Sequence, residues 1–429
     1  MHQGLSSAVA AAYNRSEAKV ENESIMTRII AWLGLILVVA FFAVTLSIAV
    51  FLSTPEDYDD RLAAVVSQAE RGASKGHYPG IMWAVVTEGE VLATGAAGFA
   101  DLDGQVPMTP DTTMPIGSVT KVLAGLSGAI AVEEGDLNLD TPIADILTIP
   151  FSPPDGAPRT FGQLATHTAG IIDTDAGYEE VGYHYGDAKH PIALDDYLTR
   201  YLSSDGDLYA PENFGEWAPG DQYAYSNIGA GLAGQVIADA TGQSYAAYTR
   251  SQIIDPLGLT GFWGQEGPPA GADLTQATLY DRTDDGAFEA LPPYGLATWP
   301  DGQFNASVTD LAKLFAMMLG EGMLDGEQVI PAEAVTLQKT PRVAGIPGKE
   351  VEGDFIGLFW ERETLDIGPM SLTFEGHSGG DPGVMTFMYQ EPGSPTGFVM
   401  MFNGEPDGVF GFYAIVRLAL LLGGMPVPG

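Results

Sequence analysis

The sequence predicts a mixed α/β (α+β) domain whose single sheet is built from both chain ends and flanked by helices. A largely helical segment is inserted at about 140–300, and a membrane-spanning helix precedes the whole. Three observations carry this. Strand patterns occur at 80–95 and again in the last third of the chain, and are scarce between. Helical apolar spacing fills the gap. Residues 29–52 form a run of 24 residues without a charge.

Residues 1–28 read as a polar tail rich in Ala and Ser. As a helix, the uncharged run would span about 36 Å, enough for the bilayer core. A secretory signal carries a shorter apolar region of about 7–15 residues, so an uncleaved single-pass anchor is expected. Ser47-Ile48-Ala49 is a candidate cleavage site, and Met26 a candidate start. Arg28 precedes the run, while Glu56, Asp57, Asp59 and Asp60 follow it. The positive-inside rule then leaves the tail cytoplasmic and residues 55–429 on the extracytoplasmic side.

Beyond the run, Leu62, Ala63, Val65, Val66 and Ala69 mark an amphipathic helix ending near Gly72. Residues 80–87 form a strand, Glu88-Gly89-Glu90 a turn and 91–95 the returning strand. Asp101-Leu102-Asp103-Gly104 is a further turn. Val122, Leu123, Leu126 and Ile130 are spaced for a helix that stops at Gly135. A short helix is expected around 143–147, and longer ones at 160–169, 194–203, 227–241 and 243–254. Strands follow at 355–359, 370–374, 384–389 and 398–402, and a helix at 409–421 closes the chain.

Composition narrows the chemistry. The chain of 429 residues is 45% hydrophobic, enough for a large core. It has no cysteine, so thiol catalysis, disulfides and thiolate metal sites are excluded. Net charge is −38. Residues 1–54 hold three of the 18 basic and three of the 56 acidic residues, leaving 15 against 53 in the body. Such a surface repels nucleic acid and anionic lipid, and serves solubility. No His/Asp/Glu group shows metal spacing, so neither metal nor other cofactor is expected.

The stretch Pro115-Ile116-Gly117-Ser118-Val119-Thr120-Lys121 opens the helix that ends at Gly135. Ser118 falls in the first turn, where backbone amides lack partners. Lys121, three residues on, shares its face. A serine hydroxyl is a poor nucleophile until a base takes its proton. A lysine can be that base only if burial lowers its pKa. The free amides offer donors to developing negative charge. Alone the pattern is weak: Ser16-Glu17-Ala18-Lys19 repeats it in the tail. Its plain reading is a capping Ser and a solvated Lys.

Two other stretches add to it. In Tyr225-Ser226-Asn227, a phenol can act as a base if a cation such as Lys121 lowers its pKa. Asn227 can hold the lysine and a substrate carbonyl or amide. The plain alternative is a buried Tyr and a helix-capping Asn. Gly376-His377-Ser378-Gly379-Gly380 matches the nucleophile elbow Gly-x-Ser-x-Gly, but that motif needs a later histidine. None of the six histidines follows Ser378. The remaining reading is that His377 ends a strand and that Gly379-Gly380 allow close approach of a ligand to the backbone.

In this order, Ser118-x-x-Lys121, Tyr225-Ser226-Asn227 and His377-Ser378-Gly379 resemble the three motifs of the serine β-lactamase and penicillin-binding-protein superfamily. The class C-related branch, with D-aminopeptidase- and esterase-like relatives, is the nearest likeness. The resemblance covers about 57–421 and includes Pro79-Gly80, residues 160–170, Asp255-Pro256-Leu257-Gly258-Leu259 and residues 307–312. It implies a β-lactamase/transpeptidase-like fold with an antiparallel sheet. It implies that Ser118 is the acyl-forming nucleophile, Lys121 and Tyr225 its proton-transfer partners, and Asn227 the residue that orders them. It also implies an oxyanion hole from the backbone amides of Ser118 and Gly380, with Gly379 beside the substrate. His377 stands where β-lactamases usually carry a lysine that favours a substrate carboxylate. The function implied is a membrane-anchored serine hydrolase of esters, amides or D-amino-acid peptides. The alternatives are a β-lactamase or DD-carboxypeptidase, and a non-catalytic penicillin-binding sensor. The partners implied are a small molecule or short peptide and, through 29–52, a membrane; His167 is implied to be structural.

Overall fold

A computed structural model describes residues 53–428 apart from 351, 352, 368, 369 and 407. The expected tail, the span at 29–52 and the Ser16/Lys19 tetrad lie outside the described residues. Among the described residues, no helix is long and apolar enough to cross a membrane.

The first helix, α1 (Tyr58–Ser74), is capped by Asp57, whose carboxylate accepts from the amides of Asp59 and Asp60. The hairpin expected from residue 80 follows as β1 (Gly80–Thr87) and β2 (Glu90–Asp101), with β3 (Val106–Pro107) beyond it. The last third supplies β4 (Phe355–Ile356), β5 (Glu361–Ile367), β6 (Met370–Asp381), β7 (Val384–Gln390) and β8 (Thr396–Phe402). These eight form one sheet in the order β4-β5-β6-β7-β8-β1-β2-β3, antiparallel throughout. The first and last long strands meet in the middle, with Ile81 opposite Phe402 and Thr87 opposite Thr396.

Both faces of the sheet are covered, which is why β1 is apolar without alternation. Met82, Ala84 and Val86 belong to one core with Val122, Leu123 and Leu126 of α2 (Thr120–Glu134). They share that core with α3 (Asn227–Thr241) and α4 (Val308–Leu319). Ile81, Trp83 and Val85 face the other way, against α1 and the closing helix α5 (Gly408–Leu422). Residues 120–131 of α2 are all buried. The helix ends at Gly135, whose φ of +84° is the left-handed turn that favours glycine.

The inserted middle is mainly helical, with short helices at Phe161–Ala165, Leu194–Leu202 and Tyr245–Thr249. It also holds two- and three-residue strands, such as Tyr183–Tyr185 paired with Tyr294–Leu296. Three differences from expectation stand out. The strand expected at 355–359 shrinks to Phe355–Ile356. The strand expected at 370–374 runs on to Asp381, so His377 lies within it rather than at its end. The charged strand Glu361–Ile367 was not expected, because its Glu-Arg-Glu start lacks an apolar stripe.

Candidate functional site

Ser118 sits in a single 3-10 turn, Gly117–Val119, that runs straight into α2. The chain before it is pinned by the short strand Phe304–Ala306, through Ile116 N–H to the Phe304 carbonyl at 3.0 Å. Lys121 is fully buried one turn on. Its Nζ donates to Ser118 Oγ at 3.0 Å, to Asn227 Oδ1 at 2.7 Å and to the Asp301 carbonyl at 2.9 Å. Three acceptors use all three N–H bonds of an ammonium. The Tyr225 ring lies 4.9 Å from the same nitrogen.

The second motif is held from behind. Ser226, not Asn227, caps α3, its Oγ accepting from the Gly229 amide at 2.8 Å. Asp173 accepts from Ser226 Oγ at 2.7 Å and from the amides of Asn227 and Ile228 at 2.6 and 3.1 Å. A carboxylate at a helix N-terminus is favoured by the dipole and fixes where Asn227 begins. His167 accepts from the Ser226 amide at 3.1 Å and packs its ring, tilted by 31°, 4.4 Å from that of Tyr225. It thus touches both Ser226 and Tyr225 of the second motif.

The third motif crosses the nucleophile turn at backbone contact. A Cβ at Gly379 would lie 2.3 Å from the Ile116 carbonyl and 3.0 Å from the Ser118 nitrogen, so only glycine fits. The close approach made by Gly379 is thus to the nucleophile turn. A Cβ at Gly380 would meet nothing within 4 Å. Gly380 and Ser118 both line a cavity of about 220 Å³, together with Tyr225 and His377.

Electrostatics set the resting protonation. Burial is the largest influence on Lys121 and pulls its pKa down, but Tyr225, Asp301 and Asp381 together outweigh it, and the ammonium is held above its ordinary value. The lowered lysine that the sequence reading asked for is therefore absent at rest. Tyr225 exposes 38% of its surface. Its hydroxyl is nonetheless enclosed, and burial raises the phenol more than Lys121 and Ser118 lower it. Burial and Lys121 push His377 down to about 4, so its imidazole is neutral. Its Nδ1 lies 2.5 Å from the Ser378 carbonyl, which can only accept, so Nδ1 carries the proton and Nε2 the lone pair.

Sequence reasoning missed the acidic groups around this centre. Asp301 is buried, its carboxyl accepting from Tyr178 at 2.9 Å, and burial raises it to about 7. Asp381 accepts from Tyr183 at 2.6 Å and is raised by burial to about 6. Glu361 and Glu363 of β5 line the same cavity as Ser118. Asp381 adjoins the third motif and was within reach of inspection. Asp301, 180 residues beyond Lys121, is brought there by the fold alone.

Residues 62–422 match the family model described as Beta-lactamase. The esterase EstB of Burkholderia gladioli is 34% identical over 208 residues, 46% of this chain and 50% of that protein. The chain thus spans half the length of that relative. Penicillin-binding protein 4 of Amycolatopsis lactamdurans is 26% identical over 341 residues, 76% of this chain and 81% of that protein. Among solved structures, the octameric penicillin-binding protein homologue from Pyrococcus abyssi superposes with a TM-score of 0.67 at 26% identity, covering 84% of this chain and 77% of that one. With the family match running from α1 to the end of α5, the chain belongs to the β-lactamase family, whose members are serine hydrolases.

Proposed function

We propose that this chain hydrolyses ester or amide bonds through an acyl-enzyme on Ser118. The observation that carries the reading is the buried Lys121 ammonium 3.0 Å from Ser118 Oγ, with Tyr225 beside both. Both partners are held protonated at rest. The base is therefore the Lys121–Tyr225 pair after it has released one proton, and activity rises toward alkaline pH. That pair takes the serine proton as Oγ attacks the carbonyl. The amides of Ser118 and Gly380 receive the oxyanion, a contribution of about 3–4 kcal/mol per donor in acyl-transfer enzymes. The pair then protonates the leaving group, and water releases the acyl product by the reverse route.

A fluorophosphonate probe and a p-nitrophenyl ester test this. Wild type is expected to label and turn over, and Ser118→Ala to do neither. Equal labelling of the two proteins would falsify the assignment. In the same reading, residues 29–52 anchor the domain on the extracytoplasmic side, where it meets a small molecule or short peptide. Protease added to intact cells then removes the domain; full protection reverses the orientation.

The likeness to a penicillin-binding protein supports a second reading, action on β-lactams or peptidoglycan peptide. It asks for a cation to hold a substrate carboxylate, and His377 is neutral there. A penicillin adduct on Ser118 decides for it, and its absence decides against.

A further inference from the structure

The cavity beside Ser118 has walls that the acyl-transfer chemistry does not use. Glu361 and Glu363 lie two apart on β5, with the hydroxyls of Tyr223 and Tyr389 each 3.5 Å from one of them. Lys349 Nζ donates to Glu361 at 3.0 Å and to Glu363 at 3.3 Å. One ammonium between two carboxylates leaves one negative charge uncompensated. The Glu363 side chain keeps 46% of its surface exposed, so it is reachable. His377, also in the lining, is only 6% exposed, and its Nε2 has no partner among the described residues. That lone pair is an acceptor awaiting a donor. Lys121 cannot serve it, since its three N–H bonds are committed to Ser118, Asn227 and Asp301.

The cavity therefore has acceptors in excess: two carboxylates, an imidazole lone pair and three tyrosine rings. A protonated amine matches this set. It brings three N–H donors and a positive charge that is attracted both to carboxylates and to aromatic faces. A carboxylate would meet like charge, and among the described residues the lining offers no Lys or Arg. We propose that the recess walled by Glu361, Glu363, Tyr223 and Tyr389, with His377 and its unpartnered Nε2 in the lining, is a subsite for a primary ammonium group of the substrate. The subsite deepens the reading of Ser118 as the reactive group, because it places that amine within one cavity's length of the scissile bond. Burial and Glu361 already hold the Glu363 carboxyl above its ordinary range, with Lys349 opposing. A bound cation relieves that. The substrates selected are amine-bearing esters or amides.

The test is binding by the full chain, so that it does not depend on turnover. n-Butylammonium, n-butanol and n-butanoate are titrated calorimetrically into wild type, Ser118→Ala and Glu363→Gln. Salt is kept at about 0.5 M, where the field of the distant acidic surface is screened within a few ångströms. Wild type and Ser118→Ala are expected to bind the ammonium at least about tenfold more tightly than the alcohol, with the carboxylate weakest. Glu363→Gln is expected to cut that preference about tenfold, or about 1.4 kcal/mol. The ammonium, and not the alcohol, should also slow fluorophosphonate labelling of wild type, which places it beside Ser118. Equal affinity for ammonium and alcohol overturns the proposal. So does a preference that survives in Glu363→Gln or one that disappears with salt. Should Glu363→Gln unfold, Glu361→Gln, which keeps an acceptor for Lys349, repeats the comparison. Failure of the nucleophile reading shows separately, as equal esterase activity in wild type and Ser118→Ala.

Discussion

Asp301 ties stability to pH in a direction opposite to that of an ordinary salt-bridged carboxylate. It is 1% exposed, its Oδ1 has no partner among the described residues, and burial raises it to about 7 against an ordinary 3.8, with Lys121 opposing. A carboxyl whose pKa is raised by folding binds its proton more tightly in the native state. Its stabilising contribution is full below the unfolded pKa and is lost as pH rises through the folded one. Three pKa units correspond to about 4 kcal/mol, so the group burdens the fold by up to that much at pH 8, where it is ionised, and by about 2 kcal/mol at pH 5, where folding must return a proton the unfolded carboxyl has lost. Asp301→Asn keeps the shape, the backbone carbonyl that receives Lys121 and an acceptor for Tyr178, and it removes the charge. The variant should be more stable than wild type by up to about 4 kcal/mol at pH 8, with the gain shrinking steadily toward pH 4. Thermal unfolding followed by near-ultraviolet circular dichroism at several pH values measures this. Because Asp301 is one of the groups holding the Lys121 proton, the pH–rate profile of the variant should also move to lower pH. A variant less stable than wild type at pH 8, or a difference that does not change with pH, refutes the reasoning.

Two further substitutions probe the frame. Gly379→Ala forces a methyl against the Ile116 carbonyl and the Ser118 nitrogen; an overpacking cost of about 1–3 kcal/mol and at least about tenfold slower labelling of Ser118 are expected, and an unchanged Tm and labelling rate would contradict the close crossing. Arg61 donates from α1 to the carbonyls of Leu420, Leu421, Gly423 and Gly424, closing the end of α5 on the sheet face that lies away from Ser118. Arg61→Ala should lose about 2–3 kcal/mol in chemical unfolding, with activity per folded molecule unchanged.

Much of the fold was legible because the deciding interactions are local. The hairpin at residue 80 announces itself by two apolar runs around Glu88-Gly89-Glu90, and α2 by its spacing and by Gly135. Both elements appear where the pattern puts them. The strand Glu361–Ile367 escaped because one side of it faces the cavity with charges, leaving no apolar stripe to read. Ser226 displaced Asn227 as the cap of α3, a choice of one residue that periodicity does not resolve.

The sequence by itself determined the order of the three motifs, and so the identity of Ser118, Lys121, Tyr225, Asn227 and His377 as one group. Motif order survives translation into one dimension, and the missing late histidine removed the rival elbow. Only the tertiary structure decided the charge state of that group. A lysine's pKa depends on how burial balances against Tyr225, Asp301 and Asp381, which lie 104, 180 and 260 residues further along the chain. The same holds for the cavity wall, where Glu361 and Glu363 take on meaning only once β5 is laid beside β6 and Lys349 is found to be one cation between two carboxylates.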